Sequence, residues 1–249
     1  MEYENYTFVE AVKMLADRAG IALPEMEYSK EAKAQASLKN TLLEINRLAA
    51  NFFYYQLKQP SGKIGYDYLK EKRRLSDDTI RHFGLGYSSK VPDDLYRYMR
   101  SKGYHDDILK ETGLFFIDER GARDKFWNRV MFPILDVNNR VIGFGGRVLD
   151  DSKPKYLNTN DTPVFKKSRN LFSLNFAKNK IENGRLILAE GYMDVIAVNQ
   201  AGFENVVATL GTALTPEQAR LIAAYAKEVV IAYDSDGPGR KATDRATGL

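Results

Sequence analysis

Phe8, Val12, Leu15 and Ala19 recur at spacings of four, three and four, which predicts an amphipathic helix over Tyr6 to Gly20, with the glycine able to end it. Beyond Pro24 a charged, alanine-rich stretch leads into a longer stripe, Leu38, Leu42, Ile45, Ala49, Phe52 and Phe53. This stripe predicts a long helix to about Leu57, closed by Pro60-Ser61-Gly62. Short helical patterns follow at Tyr66 to Glu71, Asp77 to Phe83 and Asp93 to Lys102, punctuated by Gly and Pro and without a long strand.

The period changes after Leu114. Arg129 to Leu135 and Arg140 to Leu149 are apolar, β-rich runs joined by Asp136-Val137-Asn138-Asn139, which predicts an antiparallel hairpin. Gly143, Gly145 and Gly146 mark a bulge in the second run, or a place where a backbone or a nucleotide comes close. Asp150 to Arg169 is polar and basic and reads as an ordered, irregular binding loop. From Arg185 three short strands, Leu186 to Ala189, Asn205 to Thr209 and Glu228 to Tyr233, alternate with helical stretches, the βαβαβ pattern of a parallel sheet. Thr215, Pro216 and Gln218 give the second of these helices a capping box. The fold class is therefore α+β with α/β: a mainly helical N-terminal scaffold, a mixed basic subdomain carrying the hairpin, and a βαβαβ sheet left incomplete at the C-terminus.

At 249 residues, 44% hydrophobic, the chain has material for two domains and no stretch that reads as a membrane span. With no secretory signal, this predicts a cytoplasmic protein. The net charge of +4 is unevenly spread: residues 121–180 carry 12 Lys or Arg against 5 Asp, so the rest of the chain is net negative. A concentrated positive segment is the footprint of a polyanion-binding face. Zero cysteines remove disulfides, a Cys-type zinc site and a Cys nucleophile, and His82 and His105 lack metal-ligand spacing. Any metal must sit on carboxylates.

Ligands of parallel α/β sheets bind outside the carboxyl ends of the strands. Glu190 follows the first strand, and Asp234 and Asp236 follow the third. Three carboxylates meeting at one edge repel each other unless a hard cation neutralises them, and oxygen ligands without His or Cys favour Mg²⁺ or Mn²⁺. Asp194, four residues beyond Glu190, faces the same side of the following helix. Each carboxylate alone is equally consistent with a helix cap or a turn. Trp127 is expected in the core of the basic subdomain, as are Phe52 and Phe53; Tyr156 is open to core packing or to stacking on a base.

Glu190-Gly191-Tyr192-Met193-Asp194-Val195 and Asp234-Ser235-Asp236-Gly237-Pro238-Gly239-Arg240-Lys241-Ala242 resemble the Toprim motifs of bacterial DnaG-type DNA primases. Upstream, Arg129-Val130-Met131-Phe132-Pro133-Ile134, Val141-Ile142-Gly143-Phe144-Gly145-Gly146-Arg147 and Pro154-Lys155-Tyr156-Leu157-Asn158 resemble the basic part of the same catalytic core, in the same order. The resemblance divides the chain into residues 1–24, a helix that follows the family's zinc ribbon; 25–180, the N-terminal basic subdomain; and 181–249, a partial Toprim domain. It implies a core truncated at both ends.

It further implies synthesis of short RNA primers by nucleotidyl transfer, with Glu190, Asp234 and Asp236 as catalytic metal ligands, Asp194 supporting them, and Mg²⁺ or Mn²⁺ as cofactor. Zinc is not expected, since the ribbon is absent. Arg129, Arg147, Lys155, Asn158 and Lys167 would bind template and nucleotide, Arg as a planar fork and Lys as a point charge. The implied partners are single-stranded DNA, ribonucleoside triphosphates and an RNA–DNA hybrid at the primosome. The replicative helicase is expected only through a C-terminal domain this chain lacks, and no membrane is expected. Two alternatives stay open: another Toprim enzyme, a nuclease or topoisomerase, which would need a Tyr nucleophile or a different flanking domain; and a module that holds DNA or nucleotide without turnover.

Overall fold

The computed structural model describes residues 8–21, 30–211, 213–235 and 237–248; the predicted ligand Asp236, and Tyr6 and Thr7 of the first predicted helix, lie outside them. Helix α1 (Phe8–Ala19) and the long α2 (Lys30–Leu57) follow the apolar stripes, and α2 buries Leu42, Ile45, Ala49, Phe53 and Leu57. Next come α3 (Lys63–Asp67), a π-helical turn over Tyr68–Lys72, and α4 (Asp77–His82), whose N-cap Ser76 accepts from the Thr79 amide. The three-residue strand β1 (Gly86–Ser88) then precedes α5 (Asp94–Ser101), α6 (Asp106–Lys110) and a hairpin of β2 (Phe115–Asp118) and β3 (Gly121–Asp124).

The predicted hairpin is present as β4 (Arg129–Leu135) and β5 (Val141–Val148). Together with β1 and β6 (Tyr156–Asn158) it forms an antiparallel sheet in the order β1-β4-β5-β6. The loop predicted over residues 150–169 therefore contains a strand, too short for its alternation to stand out. Ile134 pairs with Gly143 and Leu135 with Val141, so the extra residue of the bulge is Ile142, in the second run and beside Gly143 as expected. Among the described residues those glycines face aromatic side chains, not another backbone. A Cβ on Gly145 would meet Tyr192 Cζ at 2.6 Å, one on Gly146 would meet Phe126 at 2.7 Å, and Gly143 faces Phe165.

After the one-turn helix α7 (Leu174–Ala177) the chain enters a parallel sheet: β7 (Arg185–Ala189), α8 (Tyr192–Gln200), β8 (Val206–Ala208), α9 (Pro216–Ala223), β9 (Glu228–Ala232) and α10 (Gly237–Ala246). The order is β8-β7-β9, both pairs parallel. The capping box at Thr215 and Gln218 is present, and Phe172 bridges Ala208 on the outer side of β8.

One hydrophobic core joins the helical scaffold, the antiparallel sheet and the parallel sheet through Leu69, Phe83, Phe132, Phe172, Tyr192 and Val195. A second packs α2 and α5 on β5, with Phe53 edge-on to Phe144 at 5.4 Å. Burying each such side chain contributes about 1.5–3 kcal/mol, which is what fixes the two sheets against each other. Trp127, expected inside, is 47% exposed and donates its indole N–H to the Lys90 carbonyl at 2.7 Å. Its neighbour Phe126 takes the inner position, in the bend between β3 and β4, packed on Gly146.

Candidate active site

Because β7 and β9 pair in parallel with Ala189 opposite Ala232, the residues that follow them leave the sheet at the same edge. Glu190 and Asp234 meet there: the Asp234 amide donates to Glu190 Oε2 at 3.3 Å. Asp194 stands in the first turn of α8, where an anion is favoured by the helix dipole. Although Asp194 has a solvent-facing side, desolvation by the surrounding protein raises its pKa; the nearby charge of Asp234 pushes the same way. The carboxylates are thus close enough to repel. Among the described residues none of the three forms an ion pair with Lys or Arg.

This oxygen-only, uncompensated donor set fits a hard divalent cation. As the side chains stand, no three His, Cys, Asp or Glu among the described residues gather into a ready metal cage.

Tyr192, the first residue of α8, locks this edge to the antiparallel sheet. Its ring stacks on Phe132 (5.1 Å between centroids) and meets Phe172 edge-on, and the absence of a side chain on Gly145 makes room for it. Its hydroxyl donates to Asn158 Oδ1 at 2.7 Å, while Asn158 Nδ2 donates to the Leu210 carbonyl at 2.7 Å. Burial pushes the Tyr192 phenol far above its ordinary value, so it remains a donor.

The predicted cations fall into distinct environments. The buried Arg129 donates to the carbonyls of Gly146 and Pro154, which ties the strand to the loop leading to Lys155. Lys155 itself is exposed. Arg147 lies over Tyr68 at 4.7 Å and Tyr156 at 5.8 Å; its Nη1 donates to the Val148 carbonyl, and its buried Nε has no hydrogen-bond partner. Tyr156 itself is half-buried beside Phe132 and Tyr192. Lys167 is held at both backbone ends, its amide by Asp161 Oδ1 and its carbonyl by Gln218 Nε2. The sequence-predicted capping residue thus also anchors the basic loop.

Sequence reading missed Arg73. It projects from the π-helical turn, donates to the Tyr68 hydroxyl and stacks over that ring from 5.3 Å, and its charge opposes the upward shift of Asp194. Arg73 and Arg147 both lie against the Tyr68 ring, beside the carboxylate edge. The turn is gripped by Gln200 at the end of α8, which donates to the Arg74 carbonyl at 3.1 Å and accepts from the Ser76 amide at 2.8 Å. An inserted π-turn was the only local signal, and it is not visible in periodicity.

Residues 52–178 match the family described as DNA primase catalytic core, N-terminal domain, and residues 184–249 match the Toprim domain. The DNA primase of Clostridium acetobutylicum is 45% identical over 245 residues, covering 98% of this chain and 40% of that protein. The chain thus spans about two fifths of the length of the curated relatives it matches. A solved DnaG primase catalytic domain bound to ssDNA superposes with a TM-score of 0.77 at 37% identity, over 85% of this chain and 66% of that one. The RNA polymerase domain of Mycobacterium tuberculosis primase DnaG gives 0.79 at 30% identity, over 84% and 71%. The four-stranded sheet, the parallel sheet with its acidic edge and the sequence match over both parts converge on one conclusion: the chain belongs to the DNA primase catalytic core family, with a Toprim domain following the core's N-terminal domain.

Proposed function

We propose that this chain carries the nucleotidyl-transfer site of a DNA primase, joining ribonucleotides into a short RNA primer on single-stranded DNA with Mg²⁺ or Mn²⁺. The observation that carries this reading is the meeting of Glu190 and Asp234 at one sheet edge, with Asp194 close enough for its pKa to be raised by Asp234. The single-stranded DNA in the related catalytic domain supports the template assignment.

Glu190, Asp234 and Asp194 would hold the divalent cation, joined by Asp236 on the strength of its motif. When bound, that cation neutralises triphosphate charge and lowers the pKa of an attacking hydroxyl. The remaining work falls to the cations. Arg147, with its orphaned Nε, and Arg73 are braced against Tyr68 and present fixed donors to phosphate oxygens. Lys155 and Lys167 add point charges along the template path. Arg129 and Asn158 contribute by holding the loop and sheet that carry these groups, their side chains being engaged by protein carbonyls and by Tyr192. Domain limits at residues 24 and 180 belong to the same proposal, as do the primosome context and a cytoplasmic setting. Among the described residues no helix is long and apolar enough to cross a membrane.

The test is incorporation of labelled ribonucleotides on a single-stranded template by this chain, and by a chain of its relatives' full length, in Mg²⁺ or Mn²⁺. Metal-dependent incorporation abolished by Asp234→Asn supports the reading; incorporation that survives that substitution overturns it.

A further inference from the structure

Lys125 follows β3 and is only 9% exposed. Its Nζ donates to Asn160 Oδ1 at 2.8 Å, and among the described residues no carboxylate pairs with it. The next charge it feels is another cation, Lys167. The acid nearest in sequence to that lysine, Asp161, is already engaged by the Lys167 amide and by Lys166 at 3.8 Å. Burial first, and then Lys167, push the Lys125 ammonium down to about 8.

A buried ammonium with an amide oxygen as its one partner and a like charge beside it is costly unless an anion completes the set. The geometry around it is fixed. The Lys125 amide donates to the Leu114 carbonyl, and the Lys167 turn is pinned by Gln218 and by Thr215, whose hydroxyl donates to the Ser168 carbonyl.

We infer that Lys125, Lys167 and the Asn160 amide form a phosphate-binding subsite. It rests on the functional reading above and extends it by two residues, Lys125 and Asn160, that no motif marks. An ammonium has three donors, and Asn160 occupies one of those on Lys125. The other two, with Lys167 Nζ and the Asn160 Nδ2, suit the oxygens of one tetrahedral phosphate group. That phosphate is either a phosphodiester of the single strand or part of a ribonucleoside triphosphate.

Lys125→Met separates the possibilities, because methionine retains most of the buried stem and removes the charge. Single-stranded DNA binding is measured by fluorescence anisotropy from 50 to 300 mM salt, along with the ribonucleotide KM and thermal unfolding. A phosphodiester ligand gives a several-fold loss of DNA affinity and a salt slope shallower by about 0.7, the single-strand value for one phosphate contact. A triphosphate ligand raises the ribonucleotide KM several-fold and spares DNA binding. In either case Tm holds or rises, since an uncompensated buried charge is gone. Unchanged affinity and KM overturn the subsite and make Lys125 a packing residue. Should Lys125→Met not fold, Asn160→Ala at its exposed partner makes the same measurements, with the same outcomes, and Lys125→Arg should keep affinity. A wild-type chain that binds neither ligand overturns the functional reading itself, a different outcome from intact binding that ignores Lys125.

Discussion

The Tyr192 hydroxyl donates a 2.7 Å hydrogen bond to Asn158 Oδ1, so the first residue of the helix that bears Asp194 is bonded to the last residue of β6. The bond spans the two sheets. Tyr192→Phe removes it and leaves a partly buried amide oxygen unpaired, at a cost of about 1–3 kcal/mol. Denaturant unfolding of the two forms measures this; a loss below about 0.3 kcal/mol would mean that ring packing alone holds the edge.

Gly145 is where that ring lands. In Gly145→Ala the new methyl group would sit 2.6 Å from Tyr192 Cζ, against a side chain fixed by Phe132 and Phe172. Overpacking of this kind costs about 1–3 kcal/mol. The displaced ring would also carry the start of α8 with it, so metal-dependent activity should fall along with stability, as parallel unfolding and incorporation assays would show. An alanine variant as stable and active as the wild type would contradict the contact.

Asp124 accepts from the Leu95 and Tyr96 amides at the start of α5 and is buried. Burial pushes its carboxyl up to about 7 despite those two bonds. The unfolded chain releases the same proton near the ordinary value of about 3.9. Between roughly pH 4 and pH 7 the folded protein therefore holds a proton that the unfolded one has lost, and this group's contribution to stability falls as pH rises through that window. Asp124→Asn should be less stable at low pH, where one amide bond is lost, and should show a flatter stability profile from pH 4.5 to 7.5. An unchanged slope would contradict the assignment.

Gln200 bonds the Arg74 carbonyl and the Ser76 amide, and Arg74 is a non-glycine residue at φ +55°. Gln200→Ala should loosen the turn that presents Arg73. We expect Tm to drop by about 4–8 °C, the equivalent of two lost hydrogen bonds in a chain of this size. Arg74→Gly, which relieves the left-handed backbone, should recover part of it. Thermal unfolding of the single and double variants checks both, and a double variant no more stable than Gln200→Ala would remove strain from the account.

The hydrophobic pattern made the long α2, the β4–β5 hairpin, the βαβαβ order and the Thr215 capping box legible, because each involves a run long enough to show its period or a residue pair at fixed spacing. The carboxylate edge was legible for a different reason: parallel strands deliver whatever follows them to one side. Strands β1, β6 and the β2–β3 hairpin were missed because three or four residues cannot display alternation. Arg73 and Lys125 were missed because what gives them meaning is spatial: Tyr68 and Asp194 for one, Asn160 and Lys167 for the other. Trp127 was misplaced because burial tendency cannot say which of two adjacent aromatic residues faces inward.

Mn²⁺ binding measured by electron paramagnetic resonance reports whether Glu190 and Asp234 hold a divalent cation. The account predicts that Glu190→Gln weakens Mn²⁺ binding at least tenfold while affinity for single-stranded DNA, carried by the cationic side chains, changes less than twofold. Undiminished Mn²⁺ binding in that variant would contradict it.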